Sequence, residues 1–130
     1  MNNMENVENI IRLLEPLWDI LTVIKIEETA DTVVYTYLVD NYEKDTAGIL
    51  EINKMLFVDL KYEDVDLIEQ FRINKARVRK PFTGKLFQLG ENFDAFSLLA
   101  LENIGNYVLM YEDYPQYTII TNGHKSHSVN

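Results

Sequence analysis

Asp45, Asp59 and Lys61 form the most chemically suggestive set in the chain. A carboxylate on one strand, followed by Asp-x-Lys on the next, can hold a divalent ion between two carboxylates. The lysine then orients the attacking water or offsets phosphate charge. Asp59 and Lys61 are two apart, so on a strand they share a face. Gln70, on a helix that follows, can join them. The pattern is unspecific, because any solvated strand face offers such a pair, and Glu51 has no part in it.

Other reactive groups are scarce. Asp40, Glu43 and Asp45 crowd one loop, but the glycine and closing glutamate of a calcium loop are missing. His124 and His127 are the only histidines, and no carboxylate follows them to complete a site. There is no cysteine, which excludes a disulfide, a thiolate ligand and a cysteine nucleophile. The commonest acid–base and thiol mechanisms therefore lack their residues. Glycines 48, 84, 90, 105 and 123 make neither GxGxxG nor GxxxxGK. The expectation is no catalytic residue, no cofactor and no metal site.

Charge is more informative. The net charge is −9, unevenly spread. Residues 1–70 hold 16 acids against 5 bases, whereas Arg72, Lys75, Arg77, Arg79, Lys80 and Lys85 follow without an acid among them. An acidic surface disfavours nucleic acid and anionic membrane and favours a basic protein surface. The basic run can contact an acidic partner or phosphate. Internal pairing with the acidic regions of the same fold is the expected arrangement.

The eight tyrosines lie in or beside strand-like runs. Tyrosine suits strands and is enriched at interfaces. Three are flanked by acids: Tyr42 in NYEKD, Tyr62 in KYEDVD and Tyr114 in EDYPQ. These acidic–aromatic spots define the expected partner-binding residues, namely Asp40, Tyr42, Glu43 and Asp45; Tyr62, Glu63 and Asp64; and Glu112, Asp113 and Tyr114.

The elements that must position them read as an α+β domain. Val7, Ile10, Ile11, Leu14 and Trp18 give one apolar face to an N-terminal helix over 4–15, capped by Asn3 and stopped by Pro16. Residues 19–28 and 32–40 are β-branched and alternating, joined by a turn at EETAD. NYEKDTA reads as a loop. GILEIN and MLFVDLKY then predict a second hairpin turning at Asn53 and Lys54. Together these four runs make an antiparallel meander.

A central helix over 64–72 follows, with Asp66 and Glu69 as a possible capping box. RINKARVRK either extends that helix or forms an edge strand carrying Lys and Arg outward, and Pro81 stops both. KLFQL predicts a strand before a turn at GEN. FDAFSLLALE fits a helix closed by Gly105 or a strand turning through NIGN into YVLMYED, and strands are the favoured reading. QYTIIT is a strand after the turn at Tyr114 and Pro115. NGHKSHSVN, residues 122–130, is polar, and a frayed tail over 123–130 is expected.

The length of 130 residues and 47% apolar content support one domain over 1–130 with a real core. The N-terminal stretch is interrupted by Glu5, Glu8 and Glu15, unlike a secretory signal. No run approaches the roughly 18 apolar residues of a membrane helix. A cytoplasmic protein is expected. Abundant Asn, Ile, Lys and Tyr, with little Arg, Ala, Gly or Pro, match A/T-rich coding, as in a low-GC bacterium or its phage. The reading that follows is a small acidic protein-binding module inhibiting a basic partner, of toxin-immunity or phage anti-defence type. The alternatives are a structural or regulatory subunit of a homo-oligomer and a metal-dependent, nuclease-like hydrolase.

Overall fold

The computed structural model describes residues 20–39, 47–60, 66–82, 93–121 and 126–129. Within them lies an antiparallel sheet carrying helices on one face. In chain order the elements are β1 (Ile20–Glu28), β2 (Thr32–Val39), β3 (Gly48–Asn53), α1 (Met55–Leu60), α2 (Leu67–Arg72), β4 (Ala76–Lys80), α3 (Ala95–Tyr111), β5 (Tyr117–Thr121) and β6 (Ser126–Val129). The sheet order is β4-β3-β2-β1-β5-β6. The expected helix over 4–15, the loop at 41–46 and the strand KLFQL lie outside the described residues.

The first hairpin is set by a threonine. Thr29 Oγ1 accepts from the backbone N–H of Asp31 (3.2 Å) and of Thr32 (3.0 Å), folding the turn locally. From there β1 and β2 pair from Glu28↔Val33 to Leu21↔Val39. Alternation sends Leu21, Val23, Val33, Tyr35, Tyr37 and Val39 into the core. The register shifts between Lys25 and Glu27, and Ile26 is left exposed there.

The expected strand MLFVDLKY is a helix at Met55–Leu60. Asn53 Oδ1 accepts from Met55 N at 2.9 Å, so the side chain of a residue read as a hairpin turn satisfies the first N–H of the helix. The buried Leu56 and Phe57 face inward while Met55 and Val58 face out. β3 therefore pairs on its free side with β4, with Glu51 opposite Arg77 and Ile52 opposite Ala76. Asp66 caps α2 by accepting from Ile68 N and Glu69 N. Asn74 takes a positive φ of 63°, which turns the chain out of α2 into β4. The edge-strand reading of RINKARVRK holds for Ala76–Lys80.

The favoured strand reading of residues 93–104, and of YVLMYED after them, is overturned by α3, one helix of 17 residues. Asp94 Oδ1 accepts from Ser97 N (2.7 Å), and Ser97 Oγ accepts from Asp94 N (3.0 Å), a reciprocal cap. The helix runs through Gly105 and ends at Glu112, whose φ is 55° and whose N–H donates to Val108 O at 2.8 Å. A Cβ on Gly105 would stand 2.8 Å from Phe57 Cε1, so the missing side chain admits the ring of α1. Ser126–Val129, within the segment expected to fray, pairs with β5 from Ile120↔Ser126 to Tyr117↔Val129.

The core fills the space between the helices and one sheet face. Phe71 stacks on Phe93 (4.9 Å between centroids), and Phe82 meets Phe96 edge-on at 5.5 Å. The other face carries an ionic row. Arg77, Glu51, Val34 and Glu27 align across β4, β3, β2 and β1. Arg77 pairs with Glu51 at 3.1 Å; Arg79 pairs with Glu51 and reaches Glu27 at 3.9 Å. Arg79 thereby spans Val34, which is 1% exposed. Arg72 pairs with Glu69 one turn earlier. Arg72, Arg77 and Arg79 of the basic run are thus balanced inside the domain.

Candidate functional site

Most of the residues singled out for function fall outside the described residues: Asp40, Tyr42, Glu43, Asp45, Lys61, Tyr62, Glu63, Asp64 and His124. The strand geometry that was to align Asp59 with Lys61 is absent at Asp59, which lies in helix α1. Gln70 is buried on α2, where its Nε2 donates to Asp66 O at 3.3 Å. Glu51 is engaged by Arg77 and Arg79. Among the described residues, no three His, Cys, Asp or Glu side chains are placed to share a metal ion. No described helix is long and apolar enough to cross a membrane.

Glu112 and Tyr114 line a groove between α1 and the end of α3, and the exposed Asp113 lies between them in sequence. Its lining is Phe57 and Val58 from α1, Val108 and Leu109 from α3, and Lys54, Glu112 and Tyr114 at the ends. The volume is about 440 Å³, within the range of pockets that seat a ligand or a side-chain anchor. Local sequence builds each wall. Asn53, the last residue of β3, accepts from Met55 N where α1 starts, and Val58 on that helix is exposed. The left-handed Glu112 breaks α3 and returns the chain toward β5. Asp113 Oδ1 then accepts from Tyr114 N at 2.9 Å, holding that return.

The Tyr114 ring is nearly buried as the floor, 5.9 Å from the Phe57 centroid. Lys54 Nζ stands 5.6 Å from the Tyr114 ring centre and 2.9 Å from Glu28 Oε2. Lys25 holds the other oxygen of that carboxylate at 2.6 Å. Hydrogen bonds from Lys25 and Lys54 keep the Glu28 carboxyl below its ordinary pKa. Burial, then the charge of Glu28, pushes the Tyr114 hydroxyl up, so this floor is neutral across the physiological range.

The chain leaves α3 through two acidic residues. Glu112 and Asp113 are exposed, and α3 has no basic residue in its last turn. Their charges add to the negative pole of the helix. The apolar walls, Phe57, Val58, Val108 and Leu109, were not singled out from sequence. The one available signal was Asn53 standing two residues before the apolar run that begins at Met55, near a helix-start pattern.

A second buried polar cluster is structural. Tyr37 Oη donates to Asp94 Oδ2 at 2.8 Å, tying β2 to the start of α3. Tyr35 Oη donates to Pro115 O at 2.7 Å, tying β2 to the entry of β5. Burial, followed for Tyr37 by the Asp94 charge, raises both phenols well above their usual range.

No protein-family model, no curated protein and no solved structure matches this chain.

Proposed function

We propose that the chain is a small acidic protein-binding module that inhibits a basic partner protein by covering its surface, in the manner of a toxin-immunity or phage anti-defence protein. The observation that carries this reading is the apolar groove lined at the C-terminal end of α3 by Glu112, with the exposed Asp113 next to it in sequence. Apolar walls supply contact area, and the acidic residues beside them steer an oppositely charged partner. The overall charge of −9 acts in the same direction at long range. The A/T-rich composition suits a low-GC bacterium or its phage.

The test compares the wild-type domain with the double variant Glu112→Lys/Asp113→Lys as bait in lysate of a low-GC bacterium, at low and high salt. One basic protein retained by the wild type, weakened by salt and lost with the charge reversal supports the reading. Equal retention by both baits refutes it.

A second reading, a structural or regulatory subunit of an oligomer, has its own observation. Ile24 and Tyr117, paired across β1 and β5, are 45% and 37% exposed on the sheet face away from the helices. Sedimentation at rising concentration separates the two. A defined dimer abolished by Ile24→Glu favours the subunit.

A further inference from the structure

We infer that the sheet face away from the helices packs against the same face of a second copy of this chain, giving a two-fold dimer. This rests on the reading that the chain is a subunit of an oligomer. It adds the surface used and the occupant. The groove between α1 and α3 lies on the helix side and stays open in such a dimer.

Strand pairing defines the face. Tyr117, Ile24, Thr36 and Ile49 stand side by side across β5, β1, β2 and β3, and Lys80 of β4 ends that row. The next row is Ile119, Thr22 and Leu38. Residues paired across antiparallel strands point to the same side, so the two rows share one surface. An antiparallel sheet with one solvated face alternates apolar inward with polar outward. Here the outward positions are isoleucine, leucine, tyrosine and threonine, without an ionised group before Lys80. Ile24 and Tyr117 are exposed on it, and Leu38, Ile49 and Ile119 are half-buried.

Charge selects a second copy as the occupant. A chain of net charge −9 repels its copies at long range. This face carries none of that excess. Glu27 and Glu51 stand against Arg77 and Arg79, and both arginines pair with Glu51. The uncharged centre offers nothing to select a basic or an acidic partner, whereas its own β-branched rows complement one another. Two-fold rotation brings those rows together and leaves each ionic row at the rim.

The whole face is large enough. β1 from Ile20 to Glu27, with five strands from β4 to β5, spans roughly 25 Å by 24 Å, or about 600 Å². Two copies bring together about 1,200 Å², above the roughly 1,000 Å² that a specific interface must clear. Twisted sheets meet in this way at a separation of about 10 Å.

The experiment is sedimentation equilibrium of the full chain over a wide range of concentration, with wild type beside Ile24→Glu and Met110→Glu. Met110, 72% exposed on α3, is the control. The expected result is a wild-type dimer whose dissociation constant rises at least about tenfold in Ile24→Glu and not in Met110→Glu. Tyr117→Glu, in register with Ile24, takes its place if Ile24→Glu loses the wild-type circular dichroism. Dilution of the ¹⁵N-labelled wild type needs no substitution and should shift the amides of Thr22, Ile24, Thr36 and Ile119 together.

A dimer that ignores the sheet variants, or dilution shifts confined to other elements, overturns the inference and leaves the subunit reading standing. A monomer at every concentration removes both.

Discussion

Removing the Asp94 carboxylate tests how α3 is fixed to the sheet. Asp94 is 1% exposed, caps Ser97 N at 2.7 Å and accepts the buried Tyr37 hydroxyl at 2.8 Å. In Asp94→Ala the cap is lost, worth about 1 kcal/mol. The Tyr37 hydroxyl is left buried without its acceptor, adding about 1–3 kcal/mol. Together the loss is about 2–4 kcal/mol, a fall in Tm of roughly 10 °C for a domain of this size. Asp94→Asn keeps an oxygen for Ser97 and separates the cap from the charge.

The pH dependence has a definite sign. Burial raises the Asp94 carboxyl above its ordinary value of 3.8, against the hydrogen bonds from Ser97 and Tyr37 that lower it. The folded state therefore holds a proton that the unfolded chain has already released. The stability this contributes is fully present below the unfolded value and is lost as pH rises through the folded one. Urea unfolding of the wild type and Asp94→Asn, from pH 3.5 to 7, should show the wild type losing stability relative to the variant as pH rises. Parallel profiles would refute a raised carboxyl. A cost below about 0.5 kcal/mol in Asp94→Ala would refute the anchoring role itself.

Gly48→Ala should cost more than Gly105→Ala. A Cβ at Gly48 falls 2.1 Å from Cζ of Tyr37, a ring anchored through its hydroxyl to Asp94, while at Gly105 it falls 2.8 Å from one edge atom of Phe57. Chemical denaturation should give about 1–3 kcal/mol for Gly105→Ala and more for Gly48→Ala. Glu51→Gln should cost only about 0.5–1 kcal/mol and lose its effect in high salt, because Arg77 and Arg79 are half-exposed; thermal melts at two ionic strengths check this. Phe71→Ala, which removes a fully buried ring stacked on Phe93, should cost about 3–5 kcal/mol by the same denaturation assay.

The parts of the fold legible in the sequence were those with a period and punctuation. β1 and β2 alternate, and EETAD between them offers Thr29 and Asp31 for a turn. Asp66 reads as a cap and acts as one. Failure came where nearly every residue is apolar. In AFSLLALENIGNYVLMY a helix buried on much of its circumference and a strand buried on both faces give the same composition, so periodicity does not discriminate. Length does: 17 residues exceed an ordinary strand, and Asp94 with Ser97 three residues on supplied the helix start. Gly105 misled because it looks like a terminator, whereas its role is to let Phe57 approach.

The same ambiguity hid the groove. MLFVDL has strand-like residues, and as a strand it sends alternate side chains to opposite faces, leaving no wall beside α3. Met55 N donates to Asn53 Oδ1 where the helix starts, and Val58 on that helix lines the same groove as Leu109. A local polar contact thus marks a helix start that apolar patterning did not. The acidic residues at the far end were visible because charge needs no period to be read. What their sequence setting lacked was direction: Glu112 and Asp113 gain theirs from the left-handed break that ends α3 and from the helix pole beneath them. The proposed binding surface is therefore a junction of two helix ends. Substitutions at Asn53 or Glu112 should disturb it more than their own exposure suggests.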